Sequence, residues 1–69
     1  MEKHVRIKNN LLESLLDEGI ELEASQRMAN KFVNTIQKVY DIWTDDYSKK
    51  WVTIDLCTEI PMECCDFID

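Results

Sequence analysis

The sequence predicts an α+β domain in which two helices pack on a small antiparallel sheet. Apolar residues recur at helical spacing over residues 10–18 and 25–43, whereas residues 51–57 alternate apolar and polar side chains as a strand does. Helices that precede a strand, rather than alternate with several, are typical of α+β architecture. With 69 residues, 45% of them hydrophobic, the chain predicts one small folded domain over residues 1–69.

The N-terminal residues predict a short strand. Polar and apolar side chains alternate from Lys3 to Lys8, so a strand over residues 3–7 would turn Val5 and Ile7 toward the core. A helical extension of the next element is the competing interpretation.

The first helix is predicted over residues 10–18. Asn10 is a good N-cap residue, and Glu13 stands three positions later, as in a capping box. Gly19 follows as a residue that can take positive φ and end the helix. One apolar face is formed by Leu11, Leu12, Leu15 and Leu16.

The second helix is predicted over residues 25–43, with Ser25 as its N-cap. Its apolar positions are Met28, Ala29, Phe32, Val33, Ile36, Val39, Tyr40 and Trp43. Because this face covers about half of the helical circumference, it predicts contact with more than one element or with a second chain. A homodimer is one expected form.

The main strand is predicted over residues 51–57, followed by a break at Pro61, which cannot donate to a ladder. Residues 62–67 predict either a second short strand or an extended tail. On the main strand the polar face holds Trp51, Thr53, Asp55 and Cys57, opposite Val52, Ile54 and Leu56.

Negative charge dominates the C-terminal part of the chain. The formal net charge is −6, and no lysine or arginine follows Lys50. A fixed row of carboxylates attracts a basic partner and repels nucleic acid, so direct nucleic-acid binding is disfavoured. The competing interpretation is that the acidity only maintains solubility. The predicted partner-binding residues are Asp55, Glu59, Glu63 and Asp66, with Trp51 as an apolar anchor beside Asp45 and Asp46.

No catalytic, metal-binding or cofactor-binding motif is present in the sequence. The single His4 lies far from Cys57, Cys64 and Cys65, and their spacing is not that of a zinc site. One glycine is too few for a phosphate-binding loop. We therefore expect a protein that is not an enzyme and uses no cofactor or metal.

The cysteines and the hydropathy pattern bear on localisation. An odd number of cysteines, two of them adjacent, is typical of reduced thiols in the cytoplasm. No apolar run approaches the length of a membrane span, and no signal-peptide core follows the basic N-terminal residues.

The sequence thus predicts a small acidic inhibitor or modulator that occupies the basic, nucleic-acid-binding surface of a host protein. The analogy is to the small proteins that phages and mobile elements encode. One alternative is a non-catalytic structural subunit of a larger assembly. Another is a helix-turn-helix-like DNA-binding regulator, whose contacts would come from Arg27, Asn30, Lys31 and Lys38.

Overall fold

The computed structural model describes residues 3–55 and 58–68 and confirms an α+β fold. Its helices are α1 (Leu11–Asp17) and α2 (Leu22–Phe32). Its strands are β1 (His4–Ile7), β2 (Ile36–Lys38), β3 (Asp41–Thr44), β4 (Lys50–Thr53), β5 (Glu59–Pro61) and β6 (Cys65–Phe67). A 3₁₀ turn, Met62–Cys64, joins β5 to β6.

The strands form two three-stranded antiparallel sheets instead of the one sheet that was predicted. The first has the order β2–β1–β6, and the second has the order β3–β4–β5. In the first sheet Val5 lies opposite Gln37 on one side and Phe67 on the other. The predicted strand over residues 3–7 is therefore confirmed as β1, at the centre of its sheet.

The core lies between the inner faces of the two sheets and the helices. The buried hydrophobic residues are Val5, Ile7, Leu11, Leu15, Phe32, Val52, Ile54, Ile60, Cys64 and Cys65. They include Val5 and Ile7, which the alternation in the sequence directs inward. Both sheets thus have one apolar face turned to the same core.

Helix α1 begins and ends close to its predicted boundaries. Asn10 is the N-cap residue, but its side chain makes no capping hydrogen bond, so the predicted capping box is wrong. Gly19 has φ of +86°, as predicted. The amide of Gly19 donates to Leu16 O (3.0 Å) and that of Ile20 to Leu15 O (3.1 Å). These two bonds form a Schellman motif, in which positive φ is required.

Residues 33–43 are the part of the predicted second helix that the structure contradicts. Helix α2 ends at Phe32, and Asn34 takes φ of +66°, which interrupts the helical path. The following residues are mostly β-branched or aromatic and form β2 and β3. The predicted N-cap at Ser25 is also wrong. Ser25 lies buried within α2, and its hydroxyl donates to the Ile20 carbonyl (3.3 Å).

The C-terminal strands differ from their predicted boundaries. The predicted strand 51–57 is confirmed up to Thr53, and its positions 56 and 57 lie outside the described residues. Pro61 does not end the sheet but closes β5, an edge strand in which a missing amide is tolerated. Within residues 62–67, only Cys65–Phe67 is strand.

Candidate protein-binding surface

The outer face of the β3–β4–β5 sheet carries a row of carboxylates. Val52 and Ile60 point into the core, so the alternate residues of these strands face outward. The register places Thr53 directly opposite Asp41 on β3 and Glu59 on β5. We call these three residues the acidic row. Asp41 and Glu59 are exposed. Because β4 lies between their strands, their Cα atoms are separated by two strand spacings, about 10 Å.

A stacked pair of indoles lies beside the acidic row on the same face. Trp43 and Trp51 are cross-strand partners, with ring centroids 6.0 Å apart and planes inclined by 14°. Both are half-buried, so neither closes the core and neither stands free in solvent. The Trp51 indole N–H donates to Asp45 Oδ2 (2.9 Å), whereas the buried Trp43 N–H has no partner among the described residues.

Asp45 organises the turn between β3 and β4. Its Oδ1 accepts hydrogen bonds from the amides of Tyr47 (2.8 Å) and Lys49 (2.9 Å). The Trp51 indole and then these amides hold the pKa of the Asp45 carboxyl below its usual value. Asp45 is therefore committed to the turn, whereas Asp46 beside it is exposed and forms no ion pair within residues 3–55 and 58–68.

Asp55 lies two residues beyond the end of β4 and binds Thr58. Its Oδ1 accepts from the Thr58 amide (2.6 Å) and its Oδ2 from the Thr58 hydroxyl (2.9 Å). The predicted position of Asp55 on a strand is therefore wrong, although the residue follows β4 closely. Its carboxylate thus holds Thr58, the residue before Glu59.

Two of the predicted carboxylates, Glu63 and Asp66, lie away from the acidic row, in the 3₁₀ turn and in β6. Glu63 pairs with Lys49 (3.0 Å), which also binds Glu18, and Asp66 lies 3.9 Å from Lys8. The hydrogen bond with Glu18 is the main cause that raises the pKa of Lys49. The predicted row is thus divided between two sheets, and part of it is paired internally.

Asp41 is the site residue that sequence reasoning missed. Within the predicted helix 25–43 it belongs to a solvent face far from the acidic C-terminal residues. Pairing of β3 with β4 brings it opposite Thr53. The available signal was the concentration of β-branched and aromatic residues from position 33 to position 44, which favours strands over a helix.

The residues of the DNA-binding alternative are only partly brought together. Arg27, Asn30 and Lys31 are exposed on α2, but Lys38 lies on β2. The connection between the helices has four residues, 18–21, because α2 begins at Leu22 and not at the predicted position 25.

The cysteines within the described residues are buried thiols. Cys64 and Cys65 are reduced, and burial raises the pKa of both thiols, that of Cys65 to about 12. A thiol with such a pKa is a poor nucleophile at neutral pH. Among residues 3–55 and 58–68, no three histidine, cysteine, aspartate or glutamate side chains are grouped so that they could hold a metal ion.

No known family model matches the sequence, and no curated protein or solved structure shows significant similarity to it. Within the described part of the chain, neither helix is long and apolar enough to cross a membrane.

Proposed function

We propose that this chain is a non-catalytic protein-binding domain that engages a basic surface of another protein through the outer face of the β3–β4–β5 sheet. The partner would be a nucleic-acid-binding protein, and the chain would act as its inhibitor or modulator, as small phage and mobile-element proteins do. The observation that carries the proposal is the acidic row, in which Asp41 and Glu59 flank Thr53 on an exposed face.

The strand register fixes the Cα positions of Asp41 and Glu59, which lowers the entropic cost of pairing with a partner. Glu59 makes no ion pair with any described residue, so its charge is available to an incoming arginine or lysine. Exposed pairs of this kind contribute about 0.2–1 kcal/mol each. The acidic row would therefore provide fast association and correct orientation, while most of the affinity comes from apolar contacts.

Capture from a basic protein pool tests the proposal. The chain is immobilised and exposed to the heparin-retained fraction of a host lysate, and captured proteins are identified by mass spectrometry. The double variant Asp41→Lys/Glu59→Lys should lose the captured protein. The control Glu21→Lys/Glu23→Lys has the same change in net charge at the start of α2 and should retain it.

The identified partner is then purified, and its affinity is measured by calorimetry at two salt concentrations. Binding should weaken as salt rises, and duplex DNA should compete with the chain for the partner. Equal loss in both double variants would refute the proposal, because net charge rather than the acidic row would then explain capture.

A DNA-binding regulator is the second candidate, and the four-residue connection between the helices favours it, since helix-turn-helix units have connections of this length. Glu21 and Glu23 oppose it, because they stand where such a recognition helix approaches the bases. Retention on a DNA column that is lost in Arg27→Ala and Lys31→Ala would establish this candidate instead.

A structural subunit and a homodimer remain predictions. The broad apolar face on which both depended is shortened, since α2 ends at Phe32. Sedimentation equilibrium over a hundredfold range of concentration would determine the oligomeric state.

A further inference from the structure

The turn between β3 and β4 places a tyrosine ring in solvent. Tyr47 is 92% exposed, whereas the next most exposed large hydrophobic residues, Ile36 and Tyr40, are 56% exposed. A ring in this position buries almost no surface in the fold, so core packing does not explain it. The turn itself would tolerate a small polar residue here.

The backbone beneath this ring is held by several hydrogen bonds. The amide of Tyr47 donates to the Asp45 side chain (2.8 Å), and the amide of Ser48 donates to the Asp45 carbonyl (3.1 Å). The Asp45 amide donates to the Lys49 carbonyl (2.9 Å), which closes the turn. A ring on such a turn loses little backbone entropy when it is buried in a partner.

Tyr47 lies in the turn of the β3–β4 hairpin, whose strands carry Asp41 and Thr53 of the acidic row, and Glu59 lies on the neighbouring strand β5. Asp41 and Thr53 form the open end of the hairpin, and Thr44 and Lys50 form the end that leads into the turn. Three residue steps separate these ends, about 10 Å along the strand. A partner surface of ordinary size therefore reaches both.

From this arrangement we infer that Tyr47 is the apolar anchor of the proposed interface and inserts into an apolar pocket on the basic partner. Asp46, exposed beside it, would face a lysine or arginine on the rim of that pocket. The inference rests on the proposed function and adds the contact that provides affinity. Tyrosine is among the residues most often found at interface hot spots, where a buried ring meets a well-packed pocket.

Matched tyrosine variants test the inference against the partner identified by capture on the immobilised chain. Tyr47→Ala should weaken binding by about thirtyfold, and Tyr47→Phe by only a few fold, because the ring provides most of the contact. Ile36→Ala is the control, since Ile36 is also 56% exposed but lies on β2, in the other sheet. It should leave the affinity within about twofold. All three variants are first compared by circular dichroism and thermal unfolding.

The outcomes separate the two proposals. Binding that depends on the acidic row but is unchanged in Tyr47→Ala would overturn the anchor and leave the proposed function standing. If no protein is captured in an Asp41- and Glu59-dependent manner, a benzophenone side chain is introduced at position 47, and at position 36 on the other sheet as the control, for cross-linking in whole lysate. An adduct specific to position 47 that maps to an apolar pocket would support Tyr47 as an anchor and overturn recruitment of the partner through the acidic row. The absence of such an adduct would overturn both proposals.

Discussion

Replacing Lys49 with methionine should destabilise the fold by about 1–2 kcal/mol, although the residue lies in a surface turn. Its Nζ pairs with Glu18 and with Glu63 (3.0 Å) and lies 5.6 Å from the centroid of the Trp51 ring. Ion pairs of exposed groups contribute about 0.2–1 kcal/mol each. A cation over an indole adds about 0.5–1 kcal/mol. Because one ammonium makes all three contacts, it cannot be placed ideally for each of them, and we expect a total of about 1–2 kcal/mol.

Thermal unfolding measures this effect directly. In a domain of this size, 1 kcal/mol shifts Tm by about 4–8 °C, so Lys49→Met should melt about 5–15 °C below the parent chain. Lys50→Met is the control, because Lys50 is exposed, lies opposite Thr44 and forms no ion pair within the described residues. Equal shifts in the two variants would refute the reasoning, since loss of a lysine and not loss of the contacts would then be the cause.

The pH dependence gives a second check on Lys49. Because its pKa is raised in the folded state, its contribution is complete below the ordinary lysine value of 10.5. That contribution is lost as pH rises through the higher folded pKa. The difference in Tm between the parent chain and Lys49→Met should therefore shrink in strongly alkaline buffer and, because the pairs are partly exposed, also in 1 M salt.

Three further outcomes are expected. The lowered pKa of Asp45, set by the neighbouring indole and two amides, stabilises the fold above the ordinary value of 3.8. Stability in urea should fall as pH drops through the lower folded pKa, and fall less in Asp45→Asn. A Cys57→Ser chain should react with a disulfide reagent far more slowly when folded than in denaturant, because Cys64 and Cys65 are both buried and burial raises the pKa of each thiol, that of Cys65 to about 12. Ile60→Ala, at a fully buried position, should cost about 2–5 kcal/mol by urea titration, whereas Ile36→Ala, at a 56% exposed one, should cost under about 1.

The fold class, strand β1 and the end of α1 were accessible from sequence because their signals are local. The alternation that predicts β1 and the glycine that ends α1 act within a few residues. A helix is predicted over residues 33–43 because apolar residues are so frequent there that many of them fall at helical spacing by chance. Two features favour strands over a helix there. Asn34 has φ of +66°, and the residues that follow it are mostly β-branched or aromatic.

The acidic surface was only partly predictable, because it depends on pairing between distant strands. The outward position of Thr53 followed from alternation, but its neighbours Asp41 and Glu59 are fixed by a register that no local pattern contains. The hydrogen bonds that Asp45 and Asp55 accept had a local signal. An aspartate that precedes backbone amides by two to four residues commonly accepts hydrogen bonds from them.

These assignments determine which substitutions would report on binding. Reversing the charge of Asp45, Asp55 or Glu63 would break hydrogen bonds or an ion pair within the chain, so lost capture would reflect a damaged fold. Glu59 and Asp46 carry no such role among residues 3–55 and 58–68. A scan that treated all acidic residues alike would therefore attribute folding defects to the partner. Asp41 belongs in the scan with Glu59 and Asp46, although its Oδ1 accepts a hydrogen bond from the amide of Ile42 (2.9 Å). Measuring Tm for every variant would then separate a binding surface from an acidic composition that only maintains solubility.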